Sequence, residues 1–297
     1  MTSMAGFPSL PSVSTGGSAE NDTANAGRAD LDDVFREGHL WTEELIDGDP
    51  LRFRMTDAGF LEFGDDGRVL DHDAAPLRYR AAVRAVRGGF ARDAFAAAVD
   101  HPSTITFFGV ATHTRRIPYD LDRIPPFLGT ALYDADRERY LPPDTAHQAF
   151  ERVGLPTIDP IEKELRAAHV DPFEYPIPDS RWYDGPAAGV VFHNKSGGRA
   201  VRRGPDPDPL DASSDADSAG VPESTREFLD DRVDDIDIDR AIAARGGADQ
   251  PTVEAVVGRV IERLARETRW VADERTGSDE LRSVLADRVD RYLREST

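Results

Sequence analysis

His39-Leu40-Trp41-Thr42-Glu43-Glu44-Leu45-Ile46-Asp47-Gly48, running on through Leu51-Arg52-Phe53-Arg54-Met55, is the stretch on which the reading of this chain turns. Leu51 to Met55 alternates apolar and basic residues, the period of two that lays one face of a strand on a core. Asp57-Ala58-Gly59 follows as a turn, and Phe60-Leu61-Glu62-Phe63 returns, so the pattern predicts a hairpin. Asp47-Gly48 taken alone is a plain turn signal.

Working outward, residues 76–99 are rich in alanine and arginine. Val83, Val86 and Phe90 fall there at helical spacing, which predicts one or two helices. Thr104-Ile105-Thr106-Phe107-Phe108 reads as a buried strand ending at Gly109. Two short helices are expected next. One starts near Asp144; the other starts at Asp159, with Pro160 at its first position and Glu162 three residues after the cap. Gly189-Val190-Val191-Phe192 and residues 199–203 read as two strands joined by the turn Asn194-Lys195-Ser196-Gly197-Gly198.

The flanks differ in composition. Residues 1–30 are dominated by Ser, Gly, Ala and Pro and are expected to be a disordered tail, with order beginning near Leu31–Phe35. Residues 204–224 carry no Lys or Arg, four prolines and many Asp and Ser, the composition of a solvated linker. From residue 225 to 297 the pattern is helical. Val253, Val256, Val257, Val260, Ile261 and Leu264 form one apolar stripe behind Pro251, and Leu281, Val284, Leu285, Val289 and Tyr292 form another behind Ser278.

Composition narrows the chemistry. Of 297 residues, 56 are acidic and 36 basic, giving a formal charge of -20, and only Lys163 and Lys195 among the basic residues are lysines. An acidic, lysine-poor surface suits a halophilic cell, where dispersal depends on charge. The same charge argues mildly against nucleic-acid binding, since phosphate contacts need local positive charge. There is no cysteine, which excludes thiol nucleophiles, disulfides and zinc–thiolate sites. No apolar run reaches the roughly 18 residues of a membrane span, and the first residues lack a basic-then-apolar leader, so a cytoplasmic protein is expected. Asp65-Asp66 and Asp71-His72-Asp73 read as solvated acidic loops, not as a metal site, and no phosphate loop or nucleophile elbow is present.

Four segments in fixed order carry a functional signal. They are His39 to Gly48 with Arg52-Phe53; Phe107-Phe108-Gly109-Val110 with Ile117-Pro118-Tyr119-Asp120; Pro126-Phe127-Leu128-Gly129 running to Leu132-Tyr133-Asp134; and Ala188-Gly189-Val190-Val191 with Gly197 to Arg203. In order and spacing, roughly from Phe35 to Arg203, they resemble the ATP-dependent RNA ligases of the covalent nucleotidyltransferase superfamily. The resemblance implies an α+β fold: a ligase-adenylation type core of antiparallel sheets with flanking helices, here followed by an all-α C-terminal module.

In that family a lysine in Glu-Lys-x-Asp-Gly attacks the α-phosphate of ATP and becomes lysyl-AMP. Carboxylates bind Mg2+ and ribose, and a late lysine neutralises phosphate. This chain departs at each place. Leu45 stands at the nucleophile position, Val110 and Ala188 at two carboxylate positions, and Val201 at the late lysine, while Thr130-Ala131 replaces a Phe-Asp pair. Neither Lys163 nor Lys195 begins the Asp-Gly segment.

The resemblance therefore implies a degenerate member, a pseudoenzyme with no catalytic residue of its own and no metal ligand. Joint replacement by apolar residues further suggests a pocket filled by packing, because unpaired charges are costly to bury. The nucleotide-binding candidates are Glu44 and Phe127 near adenine, Asp47, Gly48 and Arg52 along the sugar-phosphate side, and Arg203; Arg68 and Arg199 are also retained. ATP and Mg2+ are the cofactors if the family function is retained. RNA, ATP, or a protein held by residues 225–297 are the expected partners. Two alternatives stay open: an active ligase or nucleotidyltransferase with displaced catalytic groups, and a structural interaction protein with no ligand.

Overall fold

A computed structural model describes residues 4–7, 10–13, 31–71, 75–205, 225–243, 252–268, 271 and 278–295. The described residues fall into two compact units. One holds the residues before 76 and those from 82 to the low 200s; the other holds residues 76–81 and the C-terminal helices.

The first unit is α+β, with two five-stranded sheets. Its strands are β1 (Ser12–Val13), β2 (His39–Glu44), β3 (Asp49–Met55), β4 (Leu61–Gly64), β5 (Ile105–Ala111), β6 (Phe127–Asp134), β7 (Arg139–Tyr140), β8 (Pro160–Arg166), β9 (Gly189–Asn194) and β10 (Arg199–Arg203). One sheet runs in the order β1-β10-β9-β2-β8 and the other β4-β3-β5-β6-β7. Every pairing is antiparallel except β1 on β10. Helices α1 (Leu77–Gly89), α2 (Arg92–Ala98) and α3 (Pro143–Arg152) accompany them. The segment Leu45–Gly48 joins β2 of one sheet directly to β3 of the other, so the quoted stretch is the point where the chain changes sheets.

The predicted hairpin is present: β3 and β4 pair from Met55↔Leu61 to Arg52↔Gly64. Its turn closes through Thr56 N–H to Phe60 O at 2.8 Å, with Gly59 at φ 81°, a backbone region glycine enters without steric cost. The core of this sheet is aromatic. Phe53 lies stacked on Phe107, with ring centres 4.7 Å apart, and meets Phe90 and Phe127 edge-on. Phe53, Phe107, Phe108, Phe127 and Phe150 are all essentially inaccessible.

Two expectations are corrected. The helix expected from Asp159 is strand β8, paired with β2 through His39↔Arg166 and Leu40↔Leu165. The local cap signal loses to the pairing demand of β2, whose outer edge would otherwise leave backbone groups unpaired. Pro160 is tolerated because it opens an edge strand. The tail expected over residues 1–30 is ordered in part: β1 pairs with β10 through Ser12↔Val201 and Val13↔Arg202. Arg52 donates to Ala5 O at 2.7 Å, and Phe7 meets Phe108 edge-on at 5.0 Å. Met4 and Val13 are buried, and this sparse apolar spacing is invisible in the average composition. Residues 14–30 lie outside the described residues, as do most of the acidic linker (206–224), Pro251 and His72-Asp73.

In the second unit the two predicted stripes form helices α6 (Val253–Glu267) and α7 (Ser278–Glu295), preceded by helices α4 (Thr225–Arg232) and α5 (Asp235–Ala243). Leu229, Ile238, Val256, Val260, Leu264, Leu285 and Val289 share one apolar core. Thr252 caps α6, its hydroxyl accepting from Ala255 N–H at 3.4 Å, and Asp234 and Asp237 exchange backbone-to-carboxylate bonds at the start of α5. No helix among the described residues is long and apolar enough to cross a membrane.

Candidate functional site

The sheet change at Leu45–Gly48 opens a cleft of about 460 Å³ within the first unit. That volume lies in the range of small-molecule sites. Leu45 N–H donates to Gly189 O at 2.9 Å, which ties the crossing to β9. Gly48 lies so close to β5 that a Cβ there would meet Ala111 O and Val110 Cγ1 at 2.5 Å. Pro50 pairs with Val110 across β3 and β5. These approaches bring Leu45, Val110 and Ala188 to one cleft, all half-buried. Val110 and Ala188 also pack against an apolar cluster of Ile46, Ile117, Tyr119, Ile124, Leu128 and Ile158. Val110 and Ala188 thus extend a small core without closing the cleft, and the expectation of a filled pocket is overturned.

The candidate residues separate. Glu44, Asp47, Gly48 and Arg203 line the cleft. Glu44 accepts from Ser180 Oγ at 2.6 Å and from Arg181 N–H at 3.1 Å. Burial raises its carboxyl above the ordinary value, opposed by the Ser180 and Arg181 bonds. Asp47 accepts from Arg116 N–H at 2.9 Å and from the Arg116 guanidinium at 3.3 Å, and its own N–H donates to Tyr119 Oη at 2.8 Å. Phe127 lies in the aromatic core, 1% exposed, so it offers no stacking face to the cleft. Arg52 is buried beneath the N-terminal segment, donating to Ala5 O and standing over the Phe7 ring at 5.8 Å. Val201 is 1% exposed, and Arg68 is exposed in the turn after β4.

Sequence reasoning missed two groups. One is the loop between β5 and β6. Arg115 donates to Gly48 O at 3.0 Å and pairs with Asp49 at 3.2 Å, and Arg116 holds Asp47; both arginines line the cleft. The adjacent Arg-Arg was visible, but nothing local tied it to Asp47-Gly48-Asp49. The other is a polar network built on Glu43 at the cleft wall. His147 Nε2–H donates to Glu43 Oε1 at 2.7 Å, and its Nδ1 accepts from Thr157 Oγ–H at 3.3 Å. His193 Nε2 lies 3.1 Å from Glu43 Oε2. Arg199 Nε–H donates to His193 Nδ1 at 3.2 Å, and a second guanidinium N–H reaches Thr130 O at 3.3 Å. Because Nδ1 accepts from Arg199, the His193 ring carries its proton on Nε2, facing Glu43. Burial also lowers the His193 pKa, which favours this neutral ring. Burial alone would raise Glu43, but the two imidazoles facing it outweigh that and keep it ionised.

Both lysines lie away from the cleft. Lys195 pairs with Glu164 at 2.7 Å, and Lys163 stands over the Trp41 ring at 4.6 Å. The chain has no third lysine.

A divalent ion does not fit the donors present. Magnesium takes oxygen ligands, chiefly carboxylates and phosphates. Val110 and Ala188 supply none, while Glu43, Glu44 and Asp47 are already engaged by histidines, Ser180 with Arg181, and Arg116. Among the described residues no cluster of three or more His, Asp or Glu is arranged to hold a metal.

No protein-family model matches the chain. No curated protein matches it either. Among solved structures it is similar to Naegleria gruberi RNA ligase with PPi: TM-score 0.46 and 14% identity, over 60% of this chain and 53% of that one. It is also similar to a variant of the same ligase with ATP and Mn, with TM-score 0.46 and 13% identity over 67% and 59% of the two chains. The matched region spans between half and three-fifths of those ligase chains.

Proposed function

We propose that this chain is an RNA-ligase-like protein that binds a nucleotide in the cleft and does not form a covalent adenylate. The observation that carries the reading is convergence. Leu45, Val110 and Ala188, with Arg199 and Arg203, come from three separated motif segments and line one cleft. Such convergence is what a nucleotidyltransferase site requires, and unrelated short motifs have no reason to produce it. The cleft is of nucleotide size and carries both apolar and cationic lining.

Covalent transfer fails at its first step. An amine lone pair must attack the α-phosphorus while pyrophosphate leaves, and Leu45 has no lone pair. Displaced catalysis would need another amine beside the cleft, but Lys163 and Lys195 are both held elsewhere. The cleft favours nucleotide over the unliganded alternative; residues 225–297 are, in this reading, the segment through which RNA or a protein partner attaches.

Incubation with ATP labelled on the α-phosphate, followed by denaturing electrophoresis, is expected to leave no label on the protein. A labelled band that disappears in Lys195→Ala or Lys163→Ala would overturn the inactive reading. Calorimetry with ATP is expected to show binding; no heat and no thermal shift would favour a structural protein instead.

A further inference from the structure

We infer that Arg115 and Arg203 clamp the phosphates of a nucleoside polyphosphate directly, with no divalent ion between protein and ligand. The inference rests on the nucleotide reading above and goes beyond it, by assigning the phosphate subsite and its charge balance.

Three observations carry it. First, the lining cations are all arginines: Arg115 and Arg116 from the loop after β5, and Arg199 and Arg203 from β10. Arg199 is buried and committed to His193 and Thr130, and Arg116 is held on Asp47, so the clamp is assigned to Arg115 and Arg203. Second, Arg115 is anchored yet open. It uses part of its guanidinium on Asp49 and Gly48, while its side chain stays 40% exposed. A guanidinium has five N–H donors in a rigid fork, so one edge can bind a carboxylate while another faces the cleft. The anchoring fixes the fork in advance and reduces the ordering cost of binding. Arg203 is exposed and pairs with no carboxylate among the described residues. An exposed cation on a cleft wall attracts an anion electrostatically.

Third, the metal and the nucleophilic amine are replaced together. A ligand bound through magnesium needs carboxylate positions that here are Val110 and Ala188. Phosphate charge must then be met by protein cations, and arginine forks match phosphate oxygens in bidentate fashion. Asp47 already accepts from the Arg116 N–H and guanidinium, which occupies the carboxylate an ion would need.

The test is isothermal titration of the full chain with ATP, tripolyphosphate and adenosine, each in EDTA and again in excess magnesium, repeated with Arg203→Gln and Arg115→Gln. ATP and tripolyphosphate are expected to bind in EDTA, and adenosine to bind more weakly than ATP. Each substitution should weaken ATP binding by about tenfold or more, the worth of a charge-assisted hydrogen bond, and leave adenosine unchanged. Circular dichroism and the melting curve identify a variant that has merely lost its fold, and Arg115→Lys, which keeps the charge and loses the fork, then serves in its place. ATP binding that requires magnesium would overturn the clamp and leave the nucleotide reading standing, as would ATP and adenosine binding equally well. Tripolyphosphate binding without ATP binding would keep the clamp and end the nucleotide reading. No binding of either would end both.

Discussion

Glu43→Ala is expected to destabilise the first unit by roughly 3–5 kcal/mol, the scale for removing one member of a buried charged network. Glu43 is 1% exposed and receives the Nε2 edges of both His147 and His193. Its removal strands the His147 donor and leaves Arg199, itself 9% exposed, without a compensating charge. The check is urea denaturation of variant and parent, followed by a signal from the first unit. A change below about 1 kcal/mol would mean the network is solvated or dispensable.

The same group sets an acid limit. Glu43 titrates near 2 in the folded chain against an ordinary 4.5, so its contribution is fully present above about 4.5 and is lost as pH falls toward 2. His193 acts in the same direction: its folded pKa lies below the ordinary 6.5, so protonation of the unfolded chain begins to oppose folding below that value. Melting temperature is therefore expected to decline on acidification from about pH 6.5 downward, and the part of that slope between 4.5 and 2 should shrink in Glu43→Gln. A parent profile flat over the whole interval would contradict this account.

Phe53→Ala is the second large effect, expected to cost about 3–5 kcal/mol, as truncations of fully buried phenylalanines do. Phe53 is inaccessible and touches Phe63, Phe90, Phe107 and Phe127, so no single neighbour can move in to fill the vacancy. Phe60→Ala provides the contrast. Phe60 is 67% exposed at the hairpin turn, and its truncation should change stability by less than about 0.5 kcal/mol. Similar unfolding midpoints for the two variants would show that the aromatic stack is not the centre of the sheet's stability.

The sequence was legible where local chemistry and burial agree. The β3–β4 hairpin could be read because Leu51 to Met55 alternates and Gly59 supplies the turn. The C-terminal stripes could be read because one face of each helix is apolar. Strand β8 was not legible: its side chains are mostly exposed and its pairing with β2 is irregular on either side of Thr42, so no period of two survives. Leu45, Val110 and Ala188 were singled out from segments in fixed order, and the fold brings all three to one cleft. The roles of Phe127 and Arg52 were not legible, because a conserved-looking position says nothing about which face of its strand meets the core. Arg115 and Arg116 were hidden for another reason: their partners Asp47 and Asp49 lie more than sixty residues earlier, and only the fold brings them together.

Lys163 lies on the edge strand β8 and Lys195 in the β9–β10 turn, brought together by Glu164, which pairs with Lys195 and accepts from Trp41 Nε1–H at 3.0 Å, while Lys163 stands over the Trp41 ring. Reagents that acylate side-chain amines are thereby confined to these two positions. A biotin ester would tether the molecule to a sensor surface through Lys163 or Lys195, neither of which lines the cleft.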